Sequence, residues 1–136
     1  MGQGVQRDYD QAVKWYRLAV DQDHATAQNN LGYAFEHGQG VPQDYAEALK
    51  LYRRSAEQGD PDGQRSLGHM YESGLGVPRD YVRAHMWFSL AFAGLRSSGP
   101  EWRERAENDR DRVAVNMTPA QIAEAEKLAG EWKPSK

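Results

Sequence analysis

Small and aromatic residues recur along the chain at helical spacing. Ala12, Tyr16 and Ala19 form one set, Ala48, Tyr52 and Ser55 a second, and Ala84, Phe88 and Ala91 a third. Each set falls at i, i+4 and i+7, which is one face of an amphipathic helix. Trp15, Leu51 and Trp87 stand at matching places beside these stripes. The pattern predicts helices over about 8–21, 44–58 and 80–94. A different stripe lies between them: Leu31-Gly32 with Phe35, and Leu67-Gly68 with Tyr71. It predicts helices near 25–37 and 61–73. We label this second type helix A and the first type helix B. A glycine inside a helix costs roughly 1 kcal/mol against alanine. Gly32 and Gly68, at the same place in both A helices, therefore predict a close helix–helix approach where no side chain fits.

The segments that join A to B also recur. Gly-Gln-Gly-Val-Gln-Arg-Asp-Tyr at 2–9 returns as Gly-Gln-Gly-Val-Pro-Gln-Asp-Tyr at 38–45 and Gly-Leu-Gly-Val-Pro-Arg-Asp-Tyr at 74–81, so Asp8, Asp44 and Asp80 stand 36 residues apart. A constant interval of this size marks a stacked-repeat architecture. Gly38 and Gly74 read as left-handed C-caps of helix A, and Gly40 and Gly76 as turn residues. Val41 and Val77 read as plugs into the core, and Pro42 and Pro78 as stiffeners. Asp8, Asp44 and Asp80 read as N-caps of helix B, with Asp44/Glu47 and Asp8/Gln11 spaced as capping boxes. Gly59-Asp60-Pro61 stops one helix and starts the next, and Asp23, the match of Gly59, also tolerates left-handed geometry.

The repeat fails after about residue 94. Gly94–Pro100 reads as a loop. Glu101–Val113 reads as a largely solvated helix anchored by Trp102, Ala106 and Val113, with Glu101/Arg105, Arg103/Glu107 and Arg105/Asp109 at i, i+4. Thr118-Pro119-Ala120-Gln121 opens a last helix with a capping box, and Ile122, Ala125, Ala129 and Trp132 form its inner face. An atypical, polar-backed end suits the terminus of a repeat array. About seven helices are expected in all.

Helical-hairpin units of about 34 residues are tetratricopeptide-like. Here the excess over that length falls in the Gly-x-Gly-Val-Pro-x-Asp loop. With Ala27, Leu31-Gly32, Phe35, Gly38, Gly40-Val41, Asp44-Tyr45, Ala48, Tyr52 and Gly59, and their partners from Gly63 to Phe88, the chain resembles the Sel-one-like repeat (SLR) family. Gly63 replaces that family's usual alanine. The resemblance covers about 1–94, as a partial unit at 1–22 and full units at 23–58 and 59–94, with capping helices over 95–136. The tail, Met117-Thr118-Pro119 and Glu131-Trp132-Lys133-Pro134, is similar to endings of bacterial members. The resemblance implies an all-α fold, a right-handed α-solenoid of antiparallel helical hairpins with a C-terminal helical cap. Helix A would line the concave side and helix B the outer side. It also implies a non-catalytic adaptor that organises protein complexes.

Charge and composition narrow the partners. The net charge of −3 argues against a generic nucleic-acid binder. No cysteine is present, which excludes a disulfide framework, a thiolate zinc site and a cysteine nucleophile. The longest apolar stretch, Met86–Leu95, falls short of the roughly 20 residues of a membrane span and reads as a buried helix. The first residues carry no signal-peptide pattern. They begin inside the repeated phrase, which leads us to expect missing residues upstream of Met1. The compartment stays open between bacterial cytoplasm and periplasm.

Three features look like chemistry. The Gly-x-Gly segments lack the preceding strand and third glycine of a dinucleotide loop, and Asp44 at the next helix start would repel phosphate. Asp8, Asp44 and Asp80 sit one per repeat in equivalent settings, unlike a catalytic pair that converges on one bond. His24, His37, His69 and His85 show no metal-ligand spacing, and exposed or partner-facing roles suit them better. No catalytic residue, metal or cofactor is expected. Trp15, Trp87, Trp102 and Trp132 are assigned to packing.

What varies between units is the polar surface of helix A. Asn29/Arg65, Asn30/Ser66, Tyr33/His69 and His37/Ser73 differ, while Glu36/Glu72 is shared. These ten positions form the expected protein-binding face, since tyrosine and arginine favour interface hot spots. A protein or peptide in the concave groove is the expected ligand. Alternatives are a structural module of a larger envelope or signalling protein, or a saccharide-binding or enzymatic groove, marked by two carboxylates, or His37 and His69 with an acid, converging in one desolvated pocket. The first helix B lacks its helix A, so self-association through it is also expected.

Overall fold

Seven helices make up the described part of the computed structural model, which covers residues 2–94 and 100–134 and, in the first helix, side chains from residue 8 onward. They are α1 (Gly2–Val20), α2 (Ala25–His37), α3 (Tyr45–Glu57), α4 (Pro61–Ser73), α5 (Tyr81–Gly94), α6 (Pro100–Ala114) and α7 (Pro119–Glu131). Both A helices, α2 and α4, run over the expected residues. Most of the loop expected at Gly94–Pro100 lies outside the described residues.

Local chemistry sets the helix ends. Gly38 and Gly74 adopt φ of 66° and 69°, and their N–H groups bond the carbonyls of Ala34 and Met70. Asp44 accepts from Glu47 N at 3.1 Å, and Asp80 from Arg83 N at 3.1 Å. The Asp44/Glu47 box does not close in both directions, because the Asp44 N–H goes instead to Phe35 O at 2.8 Å. Thr118 and Gln121 do form a reciprocal box. Asp23 takes the left-handed geometry, φ 59°. The sequence reading missed His24, which caps α2 by accepting from Ala27 N.

The first repeat departs from expectation. Its Gly-x-Gly phrase is helical, so Asp8 lies within α1 and caps nothing, and the Asp8/Gln11 box does not exist. Two local causes account for this. Gln6 stands where the later units have Pro42 and Pro78, so nothing interrupts the helix. Asp44 and Asp80 are also held by carbonyls of the preceding A helix, Phe35 and Tyr71, a contact Asp8 lacks among the described residues.

Packing follows the repeat. α2 pairs with α3 and α4 with α5, as two antiparallel hairpins, and α3 packs on α4 to stack them. α2 touches α4, while α3 and α5 make at most marginal contact, so the A helices gather on the inner side. The close approach expected at glycine is present. A Cβ on Gly32 would fall 2.7 Å from the Tyr52 ring, and one on Gly68 would fall 2.6 Å from the Phe88 ring. Gly63 has a matching reason, since the Ser55 side chain fills the space its methyl would take.

α5 is apolar nearly all round because α4, α6 and α7 each cover a face. Trp87 is buried there, and Trp132, the residue that follows α7, meets it edge-on with ring centroids 5.9 Å apart. Two other tryptophans contradict the packing assignment. Trp15 is 70% exposed and Trp102 is 46% exposed, although Leu51 and Trp87, the repeat equivalents of Trp15, are 4% and 6% exposed. Among the described residues α1 packs chiefly on α2 and leaves Trp15 open, whereas Trp102 lies at the edge of the inner face with the Arg105 guanidinium over its ring. His85 is a correction in the other direction. It is buried on α5 with Nδ1 3.4 Å from Ser89 Oγ, and burial pushes its pKa down, with Arg110 adding to the effect.

Candidate protein-binding groove

The inner faces of α2 and α4 enclose an open groove of about 420 Å³ that ends against α6. Helical periodicity explains what lines it. With Leu31, Ala34 and Leu67 turned into the core, the residues between them turn to the inner face. Asn29, Tyr33, Glu36 and His37 come from α2, and Arg65, Ser66 and His69 from α4. Tyr52, Asp62 and Trp102 complete the lining. Seven of the ten expected positions thus share one concavity. The other three do not. Asn30 faces a small cleft between α1 and α2. Glu72 is engaged by α6, and Ser73 sits exposed at the end of α4.

Hydrogen bonds fix much of this surface. Ser66 Oγ donates to Asn29 Oδ1 at 2.8 Å and links the two A helices. The Tyr52 hydroxyl donates to Glu36 Oε1 at 2.7 Å, and burial together with that bond raises the Tyr52 pKa well above its ordinary value. Tyr33 packs against His37 with the rings tilted at 47° and their centroids 4.1 Å apart, yet remains 51% exposed.

The α4 half is occupied from within the chain. Asp109 of α6 is buried, accepts from Arg65 Nε at 2.5 Å and lies 3.5 Å from His69 Nε2. Arg112 donates to Asp109 at 2.9 Å and grips Glu72 through two bonds of 2.6 and 2.7 Å. Burial alone would raise the Asp109 pKa. His69 and Arg65 reverse this and hold the carboxyl well below its usual range. Of those two, the Arg65 contact is the stronger, since 3.5 Å is ion-pair spacing and depends on a proton on His69. His69, Glu72 and Asp109 are gathered, but the guanidinium groups already occupy the carboxylate oxygens a metal would need.

The surface expected on α6 is corrected accordingly. Asp109 does not pair with Arg105 but turns inward. Arg105 lies over the Trp102 ring at 4.9 Å, and Arg103 over the Phe92 ring at 4.9 Å. Sequence reasoning missed Asp109 and Arg112, though a signal existed. Trp102, Ala106, Asp109 and Val113 fall on one helical stripe, and an acid between two core residues needs a buried partner.

The repeat geometry, with glycine under an aromatic ring in each hairpin, agrees with a family comparison. The Sel1 repeat pattern matches residues 1–24, 25–60 and 61–94. The chain belongs to the Sel1 repeat family.

Two solved Sel1-type structures are similar to it. One is c5321, described as a protective antigen present in uropathogenic Escherichia coli strains displaying an SLR fold. It is 35% identical with a TM-score of 0.78, covering 88% of this chain and 24% of that one. The chain therefore spans about a quarter of that protein's length. The other is a Sel1 repeat protein from Oxalobacter formigenes, 32% identical with a TM-score of 0.61, covering 71% of this chain and 70% of that one. No curated protein sequence matches. Sel1 repeats generally mediate protein–protein interaction and are generally non-catalytic. Among the described residues, no helix is long and apolar enough to cross a membrane.

Proposed function

We propose that this Sel1 array is a scaffold that binds a protein or peptide segment in the groove between α2 and α4. The observation that supports this is the gathering of the unit-to-unit variable positions, Asn29, Tyr33 and His37 opposite Ser66 and His69, in one open concavity. Repeat-invariant residues build the fold and leave this face as the place where units differ. Tyr33 is the expected anchor, being aromatic, half open and central. The test is a peptide-display selection on the immobilised chain. Selected ligands should lose about tenfold or more in affinity on Tyr33→Ala, with the helical circular dichroism unchanged. Ligands indifferent to that substitution would remove the groove from consideration.

A second contact surface is supported by α1. Trp15 and Leu18 are 70% and 59% exposed on α1, which among the described residues packs chiefly on α2. We infer that this face associates with another helix, including that of a second copy of the chain.

A further inference from the structure

The array carries an example of a ligand on its own inner face. Arg112 presents Nε and Nη2 to the two oxygens of Glu72 at 2.7 and 2.6 Å, a bidentate fork. Glu36 holds the same place one repeat earlier. The two glutamate side chains are alike in exposure, 21% for Glu36 and 18% for Glu72. They differ in occupancy: Glu72 is filled by α6, whereas Glu36 opens onto the groove.

The surroundings of Glu36 favour a guanidinium. The Tyr52 hydroxyl fixes one of its oxygens at 2.7 Å, whereas Phe88, the equivalent residue behind Glu72, has no hydroxyl. The second oxygen, Oε2, has His37 Nε2 at 3.7 Å, ion-pair spacing that makes no hydrogen bond. A carboxylate held in this way keeps lone pairs for a donor from outside. Tyr33 adds a half-exposed aromatic face to the groove, on which a guanidinium stacks, whereas the Trp102 ring already carries Arg105. The arginine already in the groove, Arg65, is neutralised by Asp109. Glu36 and Asp62 therefore leave the open part with an excess of negative charge.

We propose that the groove takes a peptide segment that presents an arginine to Glu36, in a copy of the Arg112–Glu72 contact, with its guanidinium against Tyr33. This rests on the groove being the protein-binding site. Lysine is the poorer ligand because an ammonium cannot make the fork.

The test is a selection of a randomised peptide library on the full chain, followed by changes to the winning peptides. Arginine should be enriched at one register position. Replacing it with citrulline, its neutral isostere, should weaken binding by about tenfold or more, and lysine by several-fold. Glu36→Gln in the protein should reproduce the citrulline loss. The peptide substitutions leave the protein unaltered, so they decide the matter even if Glu36→Gln folds poorly. Peptides that depend on Tyr33 but show no arginine preference, or that bind citrulline equally well, would overturn the arginine assignment and leave the groove reading intact. Failure to select any Tyr33-dependent peptide would overturn both.

Discussion

Arg65 and Asp109, 44 positions apart, meet at 2.5 Å and fasten α6 to the inner face of the last repeat. Asp109 is also held by Arg112, so the acid on the cap ties together two arginines from different helices. This relationship divides the concave surface. Its α4 end is committed to the cap and its α2 end is open.

Removing the acid should loosen the cap. Asp109→Ala leaves Arg65 partly buried without its partner, and we expect a loss of about 2 kcal/mol in urea unfolding. The double variant Asp109→Ala with Arg65→Ala should lose less than the sum of the two single variants, since the pair acts as one unit. Strict additivity would mean that the contact contributes nothing to stability.

Acid should weaken the fold in two windows, both with the same sign. Asp109 has a folded pKa below its ordinary 3.8, so the unfolded chain takes up a proton first and stability falls as pH drops below about 3.8. His85 has a folded pKa below its ordinary 6.5, so the native ring stays neutral while the unfolded one is protonated. Stability therefore begins to fall as pH drops below about 6.5. Arg110, Asp111 and Glu126 surround His85 from α6 and α7, and Arg110 opposes its protonation. Denaturant midpoints measured from pH 8 to 3 should fall in both windows. His85→Gln should flatten the upper one and Asp109→Asn the lower.

Gly68→Ala should destabilise although alanine is the better helix former. The new methyl would fall 2.6 Å from the ring of Phe88, which is fully buried, so the ring or the helix has to shift. Overpacking of this kind costs about 1–3 kcal/mol, against a gain of about 1 from helix propensity. Combining it with Phe88→Leu should recover part of the loss in thermal melts. A single variant as stable as the parent would show that the hairpin can open without penalty.

The face around Trp15 should make the chain associate as concentration rises. Light scattering should show growth of mass with concentration, and Trp15→Ser should reduce it while leaving helicity unaltered. A monodisperse monomer at high concentration would count against this surface as a self-association site.

How much of this was legible follows from where each determinant lies. The limits of α2 and α4 were readable because Gly38, Gly74 and Pro61 act within a turn of themselves. The hairpin contact was readable because Gly32 and Gly68 recur under Tyr52 and Phe88. The helical start of α1 was not read, since the phrase at 2–9 copies the loop phrase except for the missing proline at Gln6. The gathering of Asn29, Tyr33 and His69 followed from helical periodicity once the core stripe was known. Tyr52 was assigned to the core alone, and its hydroxyl turned out to set the Glu36 carboxylate.

The sequence by itself determined the repeat, the helices and the caps and core stripe of the two full units apart from His24, because those depend on spacing of a few residues and on a period of 36. Only the tertiary structure decided the fate of like residues in unlike places. Trp15 and Trp87 occupy the same repeat position, yet one is open and the other buried, because burial depends on whether another helix lies above. Glu36 and Glu72 share a position as well. One faces an open groove and the other holds Arg112, because α6 folds back over the last repeat alone.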